Sequence, residues 1–253
     1  MHRLLVETHV LEETSPVLPA DAARHLKVLR PKDDEEIELF DGKGKWRVYR
    51  FCASLASGKD SASPLLATSQ AFQSSQTSQP LPLFACVTKG SRWDWTVEKA
   101  TELGVTRSVP VISDLTIVRI PKAERAAKRE RWMRIAEDAA RQSDAKWLPE
   151  IVEAVNFRDA LEMVKETTCF VGALVTPPAR PLAEAVASQG KVRGEGEQRN
   201  FSVFIGPEGD FTPAELAALL EIAVPTSFGP TVLRAETAAL FAVSVLVATG
   251  GLK

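Results

Sequence analysis

Short apolar runs alternate with longer segments of helical periodicity from Leu81 to the end of the chain. Apolar runs bounded by Gly and Pro predict strands buried on both faces, and the periodic segments predict helices that join them in a mostly parallel sheet. The fold class is therefore α/β. The predicted strands are 83–87, 109–112, 170–175, 201–205 and 226–228, and the predicted helices are 94–103, 122–140, one that opens after Thr212, and 238–249.

The N-terminal part of the chain has a different pattern, typical of a small β-rich domain. Strands are predicted at 3–6, 36–40 and 46–55, and the turn Asp41-Gly42-Lys43-Gly44 joins the last two as a hairpin. A helix is predicted at 21–29 with Asp21 as its N-cap. Residues 64–72 are predicted to form a last strand, and 73–80 a linker. We place the domain boundary after residue 79, which divides the chain into 1–79 and 80–253.

A Gly/Pro turn follows the predicted strand 201–205, in the order Gly206-Pro207-Glu208-Gly209. Pro has a preset φ and Gly tolerates positive φ, so the backbone can reverse here and expose its amide groups. Thr212 and Glu215 then form a predicted capping box. In open α/β sheets ligands bind where such loops leave the carboxyl ends of strands, so this loop is a candidate wall of a binding site.

The same arrangement repeats after the strand 226–228. Gly229-Pro230 forms a second turn, and Val232-Leu233-Arg234-Ala235-Glu236-Thr237 leads into the apolar C-terminal helix. The end of the strand 170–175, at Thr176-Pro177-Pro178, is expected to supply a third wall. The sequence thus predicts one ligand pocket enclosed by three loops.

Composition narrows the class of protein. The chain has 253 residues with 45% hydrophobic side chains, enough for about two domains, each with its own core. A net charge of −2 gives no general support for nucleic-acid binding.

The three cysteines, Cys52, Cys86 and Cys169, are separated and lie among apolar residues. They therefore fit buried free thiols, and no metal site is expected. A helix that spans a membrane needs about 20 apolar residues, and no apolar run is that long. The N-terminus lacks signal-peptide character. We therefore expect a cytoplasmic protein.

Two C-terminal motifs, IGPEGDFTPAE and FGPTVLRAETAAL, resemble those of the SPOUT methyltransferase superfamily, and in particular the RsmE family of 16S ribosomal RNA uridine-N3 methyltransferases. KGSRWDWTVEKATELGV and AEDAARQSDAKWLPEI extend the resemblance through residues 80–253, and HLKVLR with LFDGKG is similar to the family's PUA-like domain. The resemblance implies a trefoil-knotted parallel sheet with helices on both faces, preceded by a small PUA-like β-barrel that binds RNA.

The resemblance also implies the reaction, the cofactor and the partners. The family methylates the N3 position of a uridine in small-subunit ribosomal RNA with S-adenosyl-L-methionine, and it acts as a homodimer. A helix that is apolar all round must be buried, so 238–249 is expected to pack either in the core or against another chain. The resemblance implies that it forms the dimer contact. The residues expected to bind the cofactor are Leu174, Val175, Thr176, Ile205, Gly206, Pro207, Glu208, Gly209, Phe228, Gly229, Val232, Leu233, Ala235, Thr237 and Ala238.

Arg234 and Glu236 are the candidate catalytic residues. A cation near the uracil oxygens would stabilise the anion that forms when N3 loses its proton, and Arg234 is the candidate for this role. It is equally well interpreted as a salt-bridge partner of Glu236 or Glu208. Glu236 and Glu208 are the nearby carboxylates that could accept the proton, but the sequence favours a capping or helix-dipole role for either of them.

The expected RNA contacts are basic residues in both parts of the chain. Lys and Arg position RNA through its phosphates, but such a cluster can equally be a solvated surface. The same alternative applies to 119–134, where seven Lys or Arg residues stand against two Glu. The candidate RNA-binding residues are Arg3, Arg24, Lys27, Arg30, Lys89 and Arg92.

The chain departs from the family pattern at Leu115, Ala145 and Thr231, where arginine is expected. Arg141 or Lys146 can compensate only in part, because Lys cannot reproduce the bidentate fork of Arg. Two alternatives therefore stay open beside the rRNA methyltransferase. One is a catalytically silent RNA-binding or ribosome-assembly protein, and the other is a SPOUT methyltransferase with a different RNA target.

Overall fold

The computed structural model describes residues 1–56, 64–75, 79–165, 167–173, 175, 177–192 and 200–249, with the backbone alone at 190–192. Contacts between residues divide the chain into two units. The first unit comprises Met1–Thr77 and Ala140–Leu148, and the second comprises Ser78–Ala139 and Pro149–Lys253. The assignment of 1–79 as an RNA-binding domain stays a prediction.

The first unit is built on a mixed sheet with strand order β1-β2-β3-β4, in which β5 also pairs with β3. β1 runs parallel to β2, and the remaining pairs are antiparallel. A 3-10 helix, Thr8–Glu12, follows β1. The elements are β1 (His2–Leu5), α1 (Ala20–Leu29), β2 (Glu36–Phe40), β3 (Lys45–Phe51), α2 (Ala53–Ala56), β4 (Leu65–Ala67) and β5 (Gln73–Ser74).

Two predicted boundaries in this unit are corrected. Helix α1 has Pro19 at its N-cap, so Asp21 lies in the first turn and does not cap the helix. Its carboxylate still favours the helix, because the amide groups of a first turn carry partial positive charge. Strand β3 ends at Phe51, short of the predicted residue 55, because a helical turn begins at Ala53, whose amide donates to the Asp33 carboxylate at 2.7 Å.

A buried charge cluster ties the segment 140–148 into the first unit. Arg3 Nε donates to Glu38 Oε1 at 2.7 Å, and Lys146 Nζ lies 2.6 Å from the same oxygen. The Arg3 guanidinium also donates to the backbone oxygens of Ala140 and Ala145. Arg3 is 7% exposed, so it is not accessible for the RNA contact that was expected. Its bonds give it a structural role within the first unit.

The second unit contains an eight-stranded sheet in which every described pair is parallel, with order β11-β13-β10-β12-β6-β7-β8 and β9 beside β7. The elements are β6 (Pro82–Cys86), α3 (Ser91–Glu102), β7 (Arg107–Ile112), α4 (Lys122–Gln142), β8 (Glu150–Ile151), β9 (Val155–Asn156), α5 (Phe157–Val164), β10 (Thr168–Gly172), β11 (Arg180–Pro181), α6 (Leu182–Val192), β12 (Phe201–Ile205), α7 (Pro213–Leu220), β13 (Ala223–Ser227) and α8 (Ala235–Thr249).

Helices cover both faces of this sheet. On β6, Leu83 and Ala85 join an apolar cluster with α3, α4, α6 and α8, whereas Phe84 and Cys86 join a second cluster with α5 and α7. Successive side chains of a strand point to opposite faces, so the continuous apolar run serves two cores at once. The predicted α/β class with a parallel sheet is confirmed.

Most predicted elements of this unit are present, with some shifted ends. Strand 201–205 is β12 as predicted, but β10 ends at Gly172 and does not reach residue 175. Helix α3 begins at Ser91 with Gly90 at its N-cap, so Asp94 does not cap it. In the part of the chain that the structure describes, no helix combines the length and apolar character needed to cross a membrane. The same residues contain no group of three or more His, Cys, Asp or Glu suited to a metal ion.

The two buried cysteines predict how stability depends on pH. Burial raises the pKa of the Cys86 thiol to about 11 and the pKa of Cys169 to about 12. In the unfolded chain thiols ionise near about 8.5, so the folded state holds both protons more strongly than the unfolded state. The stabilisation that the two buried thiols contribute to the folded state is therefore complete below a pH of about 8.5, and it decreases as the pH rises towards 11.

We therefore expect the free energy of unfolding, measured by urea denaturation, to fall above a pH of about 9. In Cys86→Ala the decline should be shallower by about 1 kcal/mol per pH unit over the range where only the unfolded thiol ionises. An equal decline in the wild type and in a Cys86→Ala/Cys169→Ala double variant would contradict this assignment. The half-buried Cys52 serves as the control position.

Candidate active site

A pocket of about 350 Å³ lies at the carboxyl ends of β10, β12 and β13, where their loops meet the start of α8. This is the edge at which parallel α/β sheets bind ligands. The volume lies within the range of about 300–1,000 Å³ of small-molecule sites. The lining residues are Gly172, Ala173, Ile205, Gly206, Pro207, Glu208, Asp210, Thr226, Ser227, Phe228, Gly229, Thr231, Val232, Leu233, Arg234, Ala235 and Ala238.

The loop after β12 forms the first wall. Its turn is closed by the Asp210 amide, which donates to the Pro207 oxygen at 3.0 Å. A Cβ added at Gly206 would lie 3.0 Å from the Phe211 ring, so glycine lets this ring pack against the turn. The capping box of α7 is confirmed, since Thr212 accepts from the Glu215 amide and the Glu215 carboxylate accepts from the Thr212 amide. These local bonds hold the wall in place at the end of its strand.

The loop after β13 forms the second wall and packs closely on the third. A Cβ added at Gly172 would lie 2.5 Å from the Phe228 ring, so this ring requires glycine at the end of β10. Phe228 also contacts the Phe241 ring of α8, with centroids 5.8 Å apart. At Gly229 φ is +128°, a conformation that side chains rarely adopt. The close approach of Phe228 to Gly172 therefore sets the distance between two walls.

The structure brings together most of the residues predicted to bind the cofactor. Ten of them line the pocket, together with Arg234. Gly209, in the loop after β12, Thr237, in the first turn of α8, and Val175 do not line it. Leu174 and Thr176 lie outside the described residues. The ten lining residues are Ile205, Gly206, Pro207, Glu208, Phe228, Gly229, Val232, Leu233, Ala235 and Ala238.

Some lining residues were missed by sequence analysis. Asp210 follows the predicted turn directly and adopts φ of +61°, which continues the reversal by one residue. Gly172 and Ala173 were assigned to the interior of a strand that in fact ends at Gly172. The Gly in an otherwise apolar run was the available signal, since a Gly within a strand often marks close approach of another group. The missed lining residues are Gly172, Ala173, Asp210, Thr226, Ser227 and Thr231.

The two candidate catalytic residues occupy different environments. Arg234 is exposed and lines the pocket, and among the described residues its guanidinium has no hydrogen-bond or ion-pair partner. Glu208, one of its possible partners, instead pairs with Arg92 at 3.1 Å. Glu236 is 8% exposed and does not line the pocket, and within the described ranges its Oε2 has no hydrogen-bond partner. The geometry therefore favours Arg234 over Glu236 as the group that faces a substrate.

The basic residues expected to contact RNA are exposed, apart from Arg3 and Arg92. In the first unit Arg24 lies 3.4 Å from Asp21 in a solvent-exposed pair, and Lys27 and Arg30 are exposed on and beside the same helix. In the second unit Lys89 is exposed, whereas Arg92 is half-buried and engaged with Glu208. The expectation of RNA contacts therefore rests on four exposed side chains.

The three positions that lack the expected arginine are distributed over both units. Leu115 is 44% exposed, and Thr231 is an exposed lining residue of the pocket. Ala145 accepts a hydrogen bond from Arg3 through its backbone oxygen. Lys146 is held by Glu38 and Asp144, and it is therefore already engaged within the first unit.

The pocket residues fit S-adenosylmethionine. Leu233, Ala235 and Ala238 offer an apolar surface for the adenine ring, and the turn at Gly206 exposes backbone without a side chain. Asp210 brings negative charge to the lining, whereas the charge of Glu208 is compensated by Arg92, and a carboxylate favours a sulfonium cation. The lining therefore combines an apolar surface with negative charge, as a ligand that carries both an aromatic ring and a sulfonium cation requires.

Family models match both parts of the chain. An RNA methyltransferase domain matches residues 75–247, and an RNA methyltransferase PUA domain matches residues 18–51. Ribosomal RNA small subunit methyltransferase E of Synechocystis is 31% identical over 242 residues, which cover 94% of this chain and 74% of that protein. The protein of the same name from Bacillus subtilis is 31% identical over 159 residues, and the alignment covers 62% of this chain and 61% of that relative.

Two solved structures are similar over nearly their whole length. Ribosomal RNA small subunit methyltransferase E of Neisseria gonorrhoeae, bound to S-adenosyl methionine, is 27% identical with a TM-score of 0.75, over 98% of this chain and 97% of that one. A Legionella pneumophila putative methyltransferase with the same bound cofactor is 25% identical with a TM-score of 0.78, with the same coverage.

A parallel α/β sheet with this pocket at its carboxyl edge defines, with these matches, an RNA methyltransferase that depends on S-adenosylmethionine. The chain belongs to the ribosomal RNA small subunit methyltransferase E family. The family resemblance, the class of enzyme and the cofactor expected from the sequence are thereby confirmed.

The contact between Gly172 and Phe228 gives a direct test of the pocket. In Gly172→Ala the new methyl group would displace the Phe228 ring, which also lines the pocket. We expect the dissociation constant for S-adenosylmethionine, measured by calorimetry, to rise about tenfold or more. Gly209→Ala is the matched control, because a Cβ added there would lie 3.7 Å from Leu115 Cβ, an ordinary contact distance. Gly209 was expected to bind the cofactor, but it does not line the pocket. Equal affinities in both variants would contradict the described wall.

Proposed function

We propose that this chain methylates the N3 position of a uridine in small-subunit ribosomal RNA, in the cytoplasm. The observation that carries the proposal is the pocket at the carboxyl edge of the sheet, with Arg234 exposed at its lining. Membership of the family supports the substrate class. The same membership supports the PUA domain as a contact for RNA.

S-adenosylmethionine supplies the electrophilic methyl group when bound. The walls built by the β12 and β13 loops bind and orient it, and alignment of two reactants can contribute a large part of the rate. The loops themselves are fixed by the α7 capping box and by the Phe228 contact. The target base must leave its stack to reach the pocket, which favours a uridine in a loop or a single strand.

Arg234 stabilises the negative charge on the uracil oxygens after N3 has lost its proton. Its guanidinium is always charged and has no competing partner among the described residues. Glu236 stabilises helix α8, because a carboxylate in the first turn interacts favourably with the partly positive amide groups at that end. The alternative ion pair between Arg234 and Glu208 is disfavoured, since Glu208 bonds with Arg92.

Family membership also supports three finer structural proposals. The backbone of the second unit is knotted as a trefoil, the first unit closes as a PUA-like β-barrel, and the enzyme is a homodimer. Helix α8 supports the dimer, because Phe241 is a large apolar side chain that remains 39% exposed. Analytical ultracentrifugation that finds only monomers at micromolar concentration would contradict the dimer.

Mapping of modified nucleosides tests the reaction. Ribosomal RNA from cells with and without the gene is digested to fragments and analysed by mass spectrometry. We expect one 3-methyluridine to disappear from small-subunit RNA when the protein is absent and to return with the wild-type gene. A modification pattern that is identical in the two strains would overturn the proposal.

The departures from the family pattern support a second candidate, a silent RNA-binding or assembly protein. Thr231 replaces an expected arginine in the pocket lining, and Lys146 is engaged with Glu38. Calorimetry separates the candidates, since micromolar binding of S-adenosylmethionine supports the enzyme and its absence supports the silent protein. A methyl transfer found only on another RNA would indicate a changed target.

A further inference from the structure

A second cavity, of about 310 Å³, lies between the start of α3 and the first half of α4. It shares no residue with the methyl-donor pocket. Its lining includes the apolar residues Val118, Ile120 and Trp132 as well as residues of the loop that joins β6 to α3. The lining residues are Val87, Thr88, Gly90, Ser91, Trp93, Asp94, Val118, Ile120, Lys128, Arg131 and Trp132.

Two buried polar atoms of the lining residues have no partner. Thr88 is 3% exposed and Trp93 is 2% exposed. Within the described parts of the chain, neither Thr88 Oγ1 nor Trp93 Nε1 forms a hydrogen bond. Buried polar groups in folded proteins are nearly always bonded, so two unpaired groups beside one cavity indicate that something else satisfies them. The indole N–H can only donate, so the missing partner is an acceptor.

The charges around the cavity agree with an anionic acceptor. Lys128 is exposed and lines it, and Arg131 lines it while bonded to Asp94 at 2.5 Å. This bond neutralises the one carboxylate of the lining. Helix α3, which is 12 residues long, begins here with Gly90 at an N-cap that has no side-chain hydrogen bond. The first amide groups of a helix lack partners within it and favour negative charge.

We propose that this second cavity binds the phosphate group of a nucleotide, with its base or ribose against the apolar wall beside Trp132. The Trp93 indole and the Thr88 hydroxyl donate to oxygens of the ligand, and Lys128 neutralises its charge. An RNA strand and a free mononucleotide both present this chemistry. Where the nucleotide belongs to an RNA strand, the inference rests on the proposed function and places a nucleotide of the substrate outside the methyl-donor pocket.

The test uses the full-length protein and two probes, uridine 5′-monophosphate and a fluorescent single-stranded oligoribonucleotide. Thr88→Val removes the hydroxyl at nearly constant volume, and Trp93→Phe removes the indole N–H and keeps an aromatic ring. We expect each variant to weaken binding of the occupying probe about tenfold, because each loses one hydrogen bond to a charged group. Lys128→Ala should weaken it as well, and Lys122→Ala, on the same helix but outside the cavity, is the control.

Each outcome decides the inference. Loss of oligonucleotide binding in the cavity variants, with the control unchanged, supports the site and assigns the RNA strand to it. Loss of mononucleotide binding alone supports the site and assigns a free nucleotide. Wild-type affinity for both probes in Thr88→Val and Trp93→Phe overturns the inference and leaves a water molecule as the partner. Affinity for S-adenosylmethionine is measured in parallel, and its absence in the wild type would contradict the proposed function without affecting the mononucleotide result.

Discussion

Arg234→Ala is expected to lower kcat for RNA methylation by about a hundredfold, with little change in affinity for S-adenosylmethionine. The reason is electrostatic, since the guanidinium faces a pocket where negative charge develops on the uracil. Removal of one such preorganised donor costs about 3 kcal/mol of transition-state stabilisation in other enzymes. Single-turnover transfer of a radioactive methyl group to ribosomal RNA measures the chemical step apart from product release.

Two further variants complete this test of Arg234. Arg234→Lys keeps the charge and should recover only part of the rate, because the ammonium group lacks the planar fork. Arg158→Ala removes an exposed arginine from α5, on the other side of the sheet from α8, and should leave kcat unchanged. If Arg234→Ala instead unfolded the protein or abolished cofactor binding, the residue would have a structural role. A wild-type kcat in Arg234→Ala would contradict the assignment outright.

Glu38→Ala is expected to destabilise the first unit by about 3 kcal/mol or more, the usual cost of removing one partner from a buried ion pair. Glu38 is 2% exposed and pairs with both Arg3 and Lys146. Without it Arg3 and Lys146 share the exposed carboxylate of Asp144, and the Arg3 guanidinium keeps its backbone partners and its contact with the Phe40 ring. Urea denaturation followed by circular dichroism measures the loss.

Glu35→Ala provides the matched control for Glu38. Glu35 belongs to the same unit, and its carboxylate is about one-third exposed, lies 3.4 Å from the His2 ring nitrogen and accepts from the Lys32 amide in an exposed bond. Its loss should therefore change stability by less than about 1 kcal/mol. Glu38→Gln should fall between the two, because it retains hydrogen-bond acceptors but loses the charge. Equal free energies of unfolding for Glu38→Ala and Glu35→Ala would show that the buried charge cluster contributes nothing to stability.

The parts of the fold that follow from local chemistry were predicted well. The capping box of α7 depends on residues three positions apart, and strand β12 on five consecutive apolar side chains. Such features are complete within one turn or one strand, so the order of residues specifies them. The same holds for the turn at Gly206, whose lining of the pocket was predicted.

Predictions that depend on distant contacts did less well. Arg3 has the appearance of a surface cation in sequence, yet Glu38 and two backbone oxygens of the segment 140–148 enclose it. That segment is more than a hundred residues away along the chain, so no local pattern reveals the contact. The end of β10 at Gly172 was missed for the same reason, because the Phe228 ring that approaches it comes from the loop after β13.

The amino-acid order alone predicted an α/β protein, because strands, turns and caps are encoded by neighbouring residues. The resemblance of its motifs to a methyltransferase family supplied ten of the residues that line the pocket. Tertiary structure decided which charged groups are free. It paired Arg92 with Glu208, buried Glu236 and left Arg234 exposed at the pocket. It also placed Thr88 and Trp93 beside a second cavity. The physical reason is that burial and ion pairing depend on which elements pack together, and that is a property of the folded chain as a whole.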